Sequence, residues 1–404
     1  MNVAKSERLH ICLFGRTNVG KSSIINFIAG QDISIVSQIA GTTTDVVEKP
    51  MEIAGIGAVV LIDTAGINDN SELGKERNKR TIQIFQKCDF AFLVVEPNVW
   101  TEFENALIEN FRKNNIKFAI IINKTDLQNP TDEFLQKINS FSENFLTTNT
   151  VNSLRDDFLN KLKQIISKEI SQNEKTLLEN LVQKNDVCLF VTPIDSGAPK
   201  GRLIMPQVQA IRDALDKNAI SIIVQTDEYL QAINSLKNPP KIVICDSQIV
   251  KEVIELSKSE QPITTFSILF ARLKGDFETE IQGAYCLEKI KDGDKILIAE
   301  ACSHHSQKDD IATVKIPKLL AKFYTEKHYN FSPIIEYSNG RDFPENLAEY
   351  KLIIHCGACM LTHKEKNARI QQAINSNVPL TNFGMAISFL NGYLDRVLLP
   401  FAHL

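Results

Sequence analysis

Residues 15–22, Gly-Arg-Thr-Asn-Val-Gly-Lys-Ser, have the types and spacing of a phosphate-binding loop. They match the pattern G-x-x-x-x-G-K-[ST] between an apolar run at 9–14 and a helical pattern, which is the context this loop requires. Glycines allow backbone N–H groups to close around phosphate oxygens, Lys21 would neutralise the β and γ oxygens, and the Ser22 hydroxyl could coordinate Mg²⁺. The predicted phosphate-binding residues are Gly15, Asn18, Val19, Gly20, Lys21, Ser22 and Ser23.

A second segment, Asn-Lys-Thr-Asp at residues 123–126, could recognise the base of a nucleotide. The Asp126 carboxylate can accept hydrogen bonds from the ring N–H and the exocyclic amine of guanine together, a donor pair that adenine lacks on that edge. Lys124 would lie along the base, and Asn123 would tie this segment to the phosphate loop. The predicted ligand is therefore GTP. The last guanine loop, expected near residues 146–149, departs from the usual Ser-Ala pair and stays unassigned.

The order of these segments resembles that of Ras-like GTPases, in the TrmE/Era-like branch of tRNA-modifying and ribosome-assembly members. Residues 41–45, Gly-Thr-Thr-Thr-Asp, match the first switch, and residues 63–66, Asp-Thr-Ala-Gly, match the second. The resemblance implies that Lys21, Thr43 and Gly66 are catalytic, that Thr43 and Ser22 bind Mg²⁺, and that Asp63 and Gly66 contact the nucleotide site. Asn18 matches a position that in some relatives helps to hold a K⁺ ion. Ile67 stands where Ras-like enzymes carry the water-orienting glutamine, so hydrolysis is expected to be slow.

Two cysteine- and histidine-containing segments form a second constellation, Cys-Ser-His-His at 302–305 and His-Cys-Gly-Ala-Cys at 355–359. Each follows an apolar run that predicts a strand, and the carboxyl ends of parallel strands meet at one sheet edge. A Cys-x-x-Cys pair lets two thiolates reach one metal ion, and Gly357 is expected to relieve crowding of the backbone. These residues alone fit zinc, an iron-sulfur cluster or buried apolar thiols. The cysteines at 12, 88, 188, 245 and 286 lie singly on apolar runs and are predicted to pack in cores.

Apolar runs alternate with helical patterns along the whole chain of 404 residues, which predicts an α/β fold in three blocks. We predict a Ras-like GTP-binding domain at 1–172, a small α/β dimerisation domain at 180–260, and an α/β domain with the cysteine segments at 262–404. The 45 basic and 49 acidic residues leave no basic excess, which argues against a nucleic-acid partner. No apolar run has the length of a membrane span, and the first residues lack a signal-peptide pattern, so a cytoplasmic location without membrane association is expected.

Together the two constellations resemble the HydF family of iron-iron hydrogenase maturation GTPases, over essentially the whole chain. That family has a Ras-like domain, a dimerisation domain, and a cluster domain with Cys-x-His followed at a distance by His-Cys-x-x-Cys, and residues 192–203 are similar to its second domain. The resemblance implies a homodimeric scaffold whose 4Fe-4S cluster is bound by Cys302, Cys356 and Cys359. His304 would be either a fourth ligand or a partner that orients Cys302. The implied partners are the radical-SAM hydrogenase maturases and the apo iron-iron hydrogenase, which would receive a di-iron active-site precursor.

Two other functions fit the same motifs. One is a potassium-activated GTPase of tRNA modification or ribosome assembly with a structural zinc module, against which the charge balance argues. The other is a redox sensor whose cluster gates GTP hydrolysis.

Overall fold

The structure is a computed structural model that describes residues 7–30, 47–64, 84–149, 154–170, 176–194, 203–301, 310–327, 333–340, 343–344, 346–358 and 361–402. It divides into two compact units, Met1–Glu174 and Lys175–Leu404. Helices and strands are numbered below in chain order. Within the described ranges, no helix combines the length and the apolar character that crossing a membrane needs.

The first unit is built around a six-stranded sheet in the order β2-β3-β1-β4-β5-β6, parallel except for the β2–β3 pair. Its strands are β1 (Leu9–Phe14), β2 (Val47–Ile53), β3 (Gly57–Asp63), β4 (Phe90–Val95), β5 (Lys117–Ile122) and β6 (Phe145–Thr147). Its described helices are α1 (Lys21–Ala29), α2 (Glu102–Lys113), α3 (Asp132–Phe141) and α4 (Arg155–Ile170).

Strand β4 shows why this sheet forms. All six residues of its sequence Phe-Ala-Phe-Leu-Val-Val are buried, as expected for a central parallel strand with both faces covered. Alternate residues enter two separate apolar clusters, one on each face of the sheet. Thr101 caps the start of helix α2, and with Glu104 it forms a capping box that satisfies free N–H groups of the first turn.

The second unit contains two four-stranded parallel sheets, ordered β10-β9-β7-β8 and β12-β11-β13-β14. The strands are β7 (Val187–Val191), β8 (Ile220–Val224), β9 (Ile242–Cys245), β10 (Ile263–Thr265), β11 (Lys295–Glu300), β12 (Ile334–Asn339), β13 (Leu352–His355) and β14 (Leu380–Asn382). The helices are α5 (Met205–Asp216), α6 (Tyr229–Ser235), α7 (Val250–Leu256), α8 (Phe266–Lys274), α9 (Phe277–Tyr285), α10 (Ile316–Glu326), α11 (His363–Asn375), α12 (Phe383–Leu390) and α13 (Leu394–Leu398).

The architecture confirms the α/β class predicted from the alternation of apolar runs. Strand β10, which the sequence-based division places in the third block, pairs with β9 and completes the second sheet. Helix α8 then packs in the same apolar core as β7 and β9. The third sheet begins with β11, after helix α9 and a short turn of 3₁₀ helix at Cys286–Lys289.

Candidate functional site

The phosphate loop joins β1 to α1 and depends on two backbone positions that only glycine suits. Gly15 has φ 145°, and a Cβ there would lie 2.3 Å from the carbonyl oxygen of Val94. Gly20 has φ 94°, and its Cβ would lie 2.2 Å from the Asn123 side-chain nitrogen. Both glycines are therefore required for the chain to turn between β1 and α1 while β4 and the 123–126 segment stay in contact with it.

Two side chains that could act on phosphate and Mg²⁺ lie just after this turn. Lys21 is only 6% exposed, and its Nζ donates to the carbonyl oxygens of Gly15 and Arg16, each at 2.8 Å. Burial lowers the pKa of Lys21, and the nearby Asp63 carboxylate opposes that shift. The Ser22 Oγ donates to Asp63 Oδ2 at 2.5 Å, which joins the start of α1 to the end of β3. A hydroxyl and a carboxylate so placed are the oxygen ligands that Mg²⁺ prefers.

Asn123 ties the base-recognition segment to the phosphate loop, as predicted for its role. It follows β5 directly and its Nδ2 donates to Val19 O at 2.9 Å, across 104 positions of sequence. Its Oδ1 is buried and has no hydrogen-bond partner within the described part of the chain. A buried acceptor with no partner is costly, so this oxygen fits a site that a ligand or water completes.

The remaining residues of the 123–126 segment lie at the same sheet edge. Lys124 adopts φ 61° and its Nζ binds Glu96 Oε1 at 2.5 Å, an ion pair that the sequence analysis missed. Asp126 is exposed, so its carboxylate is accessible to a nucleotide base. The Thr125 N–H donates to Thr148 O at 3.3 Å, beside the end of β6. This contact brings the unassigned loop at 148–149 next to the base-recognition segment, where a last guanine loop would be needed.

A contact with helix α2 also holds the phosphate loop in place. Arg16 Nε donates to Glu104 Oε1 at 2.8 Å, and Glu104 is fully buried as part of the α2 capping box. Helix α1 starts at Lys21, so its first free N–H groups and its dipole point toward the loop. The described residues therefore form a site for an anion bound at a helix N-terminus, with an ammonium and a serine hydroxyl at hand.

The residue before the first cysteine segment and the described part of the second, 355–358, lie at the carboxyl edge of the third sheet. Strands β11 and β13 are parallel neighbours, so the residues that follow them are adjacent. The Ala301 N–H donates to Cys356 Sγ at 3.0 Å, and the Ala358 N–H donates to the same sulfur at 3.4 Å. Ala301 immediately precedes Cys302 in sequence, so the last described residue before the first segment contacts the second segment. N–H donors aimed at a sulfur favour its thiolate form.

The residues around Cys356 also differ from expectation. Gly357 has no positive φ, and no atom of the described residues lies within 4 Å of where its Cβ would be, so nothing in the described part of the chain requires a glycine there. The unusual backbone belongs to Ala358, at φ 56°, a region that non-glycine residues rarely adopt. Ala358 is fully buried, which is why the surrounding apolar contacts can hold this turn.

His355 uses both of its ring nitrogens within the protein. Its Nδ1 contacts Cys356 O at 2.7 Å, and its Nε2 contacts Arg369 Nη1 at 3.0 Å. Burial, and next the positive charge of Arg369, lower the pKa of His355 to about 3. The imidazole is therefore neutral, donating through Nδ1 and accepting from the guanidinium through Nε2, and it has no nitrogen left to bind a metal. Arg369 also donates to Gly340 O at 2.7 Å.

Several residues predicted from the sequence lie outside the described residues: Thr43, Gly66, Cys302, His304 and Cys359. Within the part of the chain that is described, no group of three His, Cys, Asp or Glu side chains is placed to hold a metal ion. The assignments of these five residues stay predictions.

Family models match three consecutive parts of the chain. Residues 10–124 match the 50S ribosome-binding GTPase family, residues 177–275 the hydrogen maturase F dimerization domain, and residues 278–400 the hydrogen maturase F tetramerization domain. The two hydrogen maturase F models thus follow each other through the second unit.

Individual relatives match smaller parts. The tRNA modification GTPase MnmE of Mesoplasma florum is 29% identical over 45% of this chain and 40% of its own length. The MnmE of Synechococcus sp. (strain JA-2-3B'a(2-13)) is 41% identical over 30% of this chain and 26% of its own. This chain therefore spans less than half the length of these curated relatives. Among solved structures, the G domain of the T. maritima FeoB iron transporter is 21% identical, with a TM-score of 0.31, over 41% of this chain and 100% of that one.

Proposed function

The chain belongs to the HydF family, and from this premise we propose that it is a cytoplasmic GTP-hydrolysing scaffold for maturation of iron-iron hydrogenase. It would hold a 4Fe-4S cluster, accept the di-iron active-site precursor that the radical-SAM maturases make, and deliver it to the apo-hydrogenase. The observation that carries the proposal is the succession of two hydrogen maturase F domains behind a GTPase domain, with the cysteine segments inside the second of them.

The chain is a GTPase, and the described residues of its nucleotide site have different roles. Lys21, held in the loop by two carbonyl oxygens, would exchange these contacts for the β and γ phosphate oxygens. Ser22 and Asp63 would hold Mg²⁺, directly or through water. Asn123 would keep the base segment fixed to the phosphate loop. We propose that hydrolysis is slow, because Ile67 stands where Ras-like enzymes carry the water-orienting glutamine. We also propose that K⁺ activates it at the exposed Asn18, which matches the position that holds this ion in some relatives.

The described residues at the cysteine edge fit an iron-sulfur cluster. Cys356 Sγ receives two backbone N–H bonds, a common way to stabilise cluster thiolates and tune their potential. Cys302 follows one of these donors directly, and Cys359 follows the other. When bound by three cysteines, such a cluster supplies one iron that can take an exchangeable ligand. His355 would orient the chain around Cys356 rather than bind iron, since both of its nitrogens are engaged.

We also propose that two chains pair through β8, the edge strand of the second sheet. Within the described part of the chain, β8 pairs only with β7. Ile220 and Ile223 of β8 are 52% and 46% exposed. Val208 and Leu215, both on helix α5, are also exposed. An open apolar strand edge invites pairing with another strand, and a twofold axis would bury two such edges together. The dimerization description of residues 177–275 supports this proposal.

The cluster proposal is tested by anaerobic reconstitution of the purified protein with iron and sulfide. We expect a brown protein with broad visible absorbance and about four iron atoms per chain, as a 4Fe-4S cluster contains. Cys286→Ala provides the matched control, because Cys286 is a partly exposed cysteine of the same unit that is not assigned to the cluster. A colourless protein that carries zinc would contradict the scaffold function and favour the zinc-containing alternative.

A comparison of GTP turnover with and without the cluster distinguishes the scaffold from the redox sensor. GTP turnover is measured with the reconstituted and the cluster-free protein under the same reducing conditions. A scaffold whose two sites act separately should hydrolyse GTP at similar rates in both forms. A large change in rate on cluster loss would favour a cluster-gated sensor.

A further inference from the structure

Neighbouring residues at the end of β13 face different parts of the second unit. Ile354 and Cys356 pack in one apolar cluster, whereas Ile353 packs in another together with Ile370 of helix α11. Successive side chains of a strand point to opposite faces of the sheet, so His355 lies on the face that α11 covers. His355 and Cys356 are adjacent in sequence, but different layers of the fold hold them.

Arg369 of α11 joins three parts of the chain at this face. Its Nη1 donates to His355 Nε2 at 3.0 Å, and its Nη2 donates to Gly340 O at 2.7 Å, just after β12. The guanidinium lies 5.0 Å from the ring centroid of Phe343, and this ring is 6.1 Å from that of His355. Arg369 and His355 are both buried. The planar fork of a guanidinium suits two acceptors and a ring face together, which a lysine ammonium does not match.

His355 connects Arg369 to the main chain of Cys356. Its Nδ1 contacts Cys356 O at 2.7 Å, while the Cys356 N–H donates to Ala299 O of β11 at 2.8 Å. Both peptide groups that flank Cys356 are thus fixed, one by the neighbouring strand and one by the imidazole. Because Nε2 accepts from Arg369, Nδ1 carries the proton that binds Cys356 O. Arg369 therefore sets the ring orientation and the tautomer on which the bond to Cys356 depends.

The turn after Cys356 depends on such a constraint. Ala358 adopts φ 56°, and its N–H is one of the two donors to Cys356 Sγ, at 3.4 Å. A strained backbone conformation persists only where the surrounding contacts determine it fully. The bond from His355 to Cys356 O holds the first peptide group of this turn, so its loss would let the Ala358 N–H move away from the sulfur.

We infer that Arg369 is a positioning residue of the cysteine edge, which acts through His355 to hold the Cys356 sulfur in place for an iron-sulfur cluster. The inference rests on the proposed cluster function of Cys356. Arg369 also carries a permanent positive charge on the α11 side of this edge, and a nearby cation favours the more negative, reduced state of a cluster. Loss of Arg369 should therefore weaken the retention of the cluster and lower its midpoint potential.

The test uses the full chain, reconstituted anaerobically with iron and sulfide. Arg369→Gln removes both the charge and the planar fork, whereas Arg369→Lys keeps only the charge. In His355→Gln the amide can accept from Arg369 in place of Nε2, but it has no atom at the position of Nδ1 and so releases Cys356 O.

Arg272→Gln is the matched control. Arg272 is a half-buried arginine of the same unit that also lies over a phenylalanine ring, that of Phe401, and donates to a backbone carbonyl, Glu179 O, at 2.8 Å. Its loss removes comparable contacts at helix α8, in the core of the second sheet.

Two quantities are measured on each reconstituted protein: the rate at which iron is lost to a chelator, and the midpoint potential of the cluster. Arg369→Gln and Arg369→Lys should both lose iron roughly ten-fold faster than the wild type, because neither keeps the fork that orients His355. The midpoint potential should fall clearly only in Arg369→Gln, by about 59 mV, which is a ten-fold change in a one-electron equilibrium. Arg272→Gln should match the wild type in both measurements.

A double variant shows whether Arg369 acts through His355. His355→Gln alone should also lose iron faster than the wild type, and the further change Arg369→Gln should then accelerate the loss by less than about two-fold. A further ten-fold acceleration would show that Arg369 acts by another route and would overturn the inference. If Arg369→Gln does not fold, as circular dichroism reports, Arg369→Lys and His355→Gln provide the same test, and loss of iron at the wild-type rate in both overturns the inference.

The outcome for the wild type keeps this inference distinct from the proposed function. A wild type that holds no cluster contradicts the proposed function and the inference together. A wild type that holds the cluster, with folded Arg369 variants that match it in iron loss and midpoint potential, overturns the inference alone.

Discussion

The nucleotide site of the first unit and the cysteine edge of the second use the same architecture in different ways. Both lie at the carboxyl ends of parallel strands. The nucleotide site is shaped by main chain: Gly15 and Gly20 allow a turn that no other residue fits, and Asn123 closes it from a distance. The cysteine edge depends on strand adjacency, because the neighbouring strands β11 and β13 bring Ala301 and Cys356, which are far apart in sequence, into contact.

This difference predicts how each site fails. A site shaped by backbone conformation should lose its activity when one of its charged side chains or turn residues is replaced, while the surrounding fold stays intact. A site made by two strand ends is lost when a ligand is removed or when the packing that aligns the strands is broken. The two sites should therefore respond to different substitutions.

Cys302→Ala should affect the cysteine edge and the nucleotide site most differently. Removal of one of three proposed thiolate ligands should abolish the cluster, so bound iron and visible absorbance should fall to the background level. GTP hydrolysis should stay within about two-fold of the wild type, because no described residue of the nucleotide site belongs to the second unit. Iron and GTP turnover are measured on the same preparation. Retention of the full iron content would remove Cys302 from the ligand set.

Lys366→Met tests whether a buried ion pair stabilises the second unit, which contains the cysteine edge. Lys366 Nζ binds Glu280 Oε1 at 2.6 Å, with side chains 2% and 0% exposed. Loss of one partner leaves a buried unpaired carboxylate, so the second unit should lose about 3–5 kcal/mol of unfolding free energy. The single tryptophan, Trp100, reports the first unit by fluorescence, while circular dichroism reports both units. We expect the Trp100 transition in urea to be unchanged and part of the circular dichroism transition to move to lower urea.

The double variant Glu280→Gln with Lys366→Met is the control for that experiment. It removes both charges, so most of the lost stability should return. A Lys366→Met protein that unfolds like the wild type would show that this ion pair does not stabilise the second unit.

Lys21→Ala is the reverse of the Cys302 experiment. Lys21 carries the buried ammonium of the phosphate loop, so its removal should lower the rate of GTP hydrolysis by roughly 10²–10³-fold. Cluster content and the sedimenting mass should stay at wild-type values. Arg8→Ala removes a cation of the same unit outside the loop and should have little effect on the rate. Loss of the cluster in the Lys21 variant would end the claim that the two sites are independent.

Glu96→Gln should have the smallest effect. Its ion pair with Lys124 is about one-third exposed on both sides, so it should contribute at most about 1 kcal/mol, roughly five-fold in the Kd for GTP. Titration with a fluorescent GTP analogue at two salt concentrations measures this, and the difference from the wild type should shrink at high salt. An effect of more than a hundred-fold would mean that Glu96 contacts the nucleotide itself.

Much of this molecule was accessible from sequence because its motifs are local. The pattern of the phosphate loop predicts its context between a strand and a helix, and the apolar runs before the two cysteine segments predict the strands β11 and β13. Two contacts could not be predicted from sequence because they depend on tertiary packing: the ion pair of Lys124 with Glu96 and the hydrogen bond between Arg369 and His355. The positive φ of Ala358 could not be predicted because the residue type does not indicate it. The second and third sheets have the same strand order. This repetition was missed for another reason, because its period exceeds about one hundred residues and only the stretches after Pro262 and Pro379 preserve a recognisable sequence match.

The most direct test of the account is transfer of the cargo. The protein is loaded by the radical-SAM maturases, purified away from them, and mixed with apo iron-iron hydrogenase, and hydrogen evolution is measured. The account predicts activity with the wild type and with Cys286→Ala, and none with Cys302→Ala. Hydrogen evolution at the wild-type level from Cys302→Ala, or none from a cluster-loaded wild type with active partners, would contradict the scaffold function.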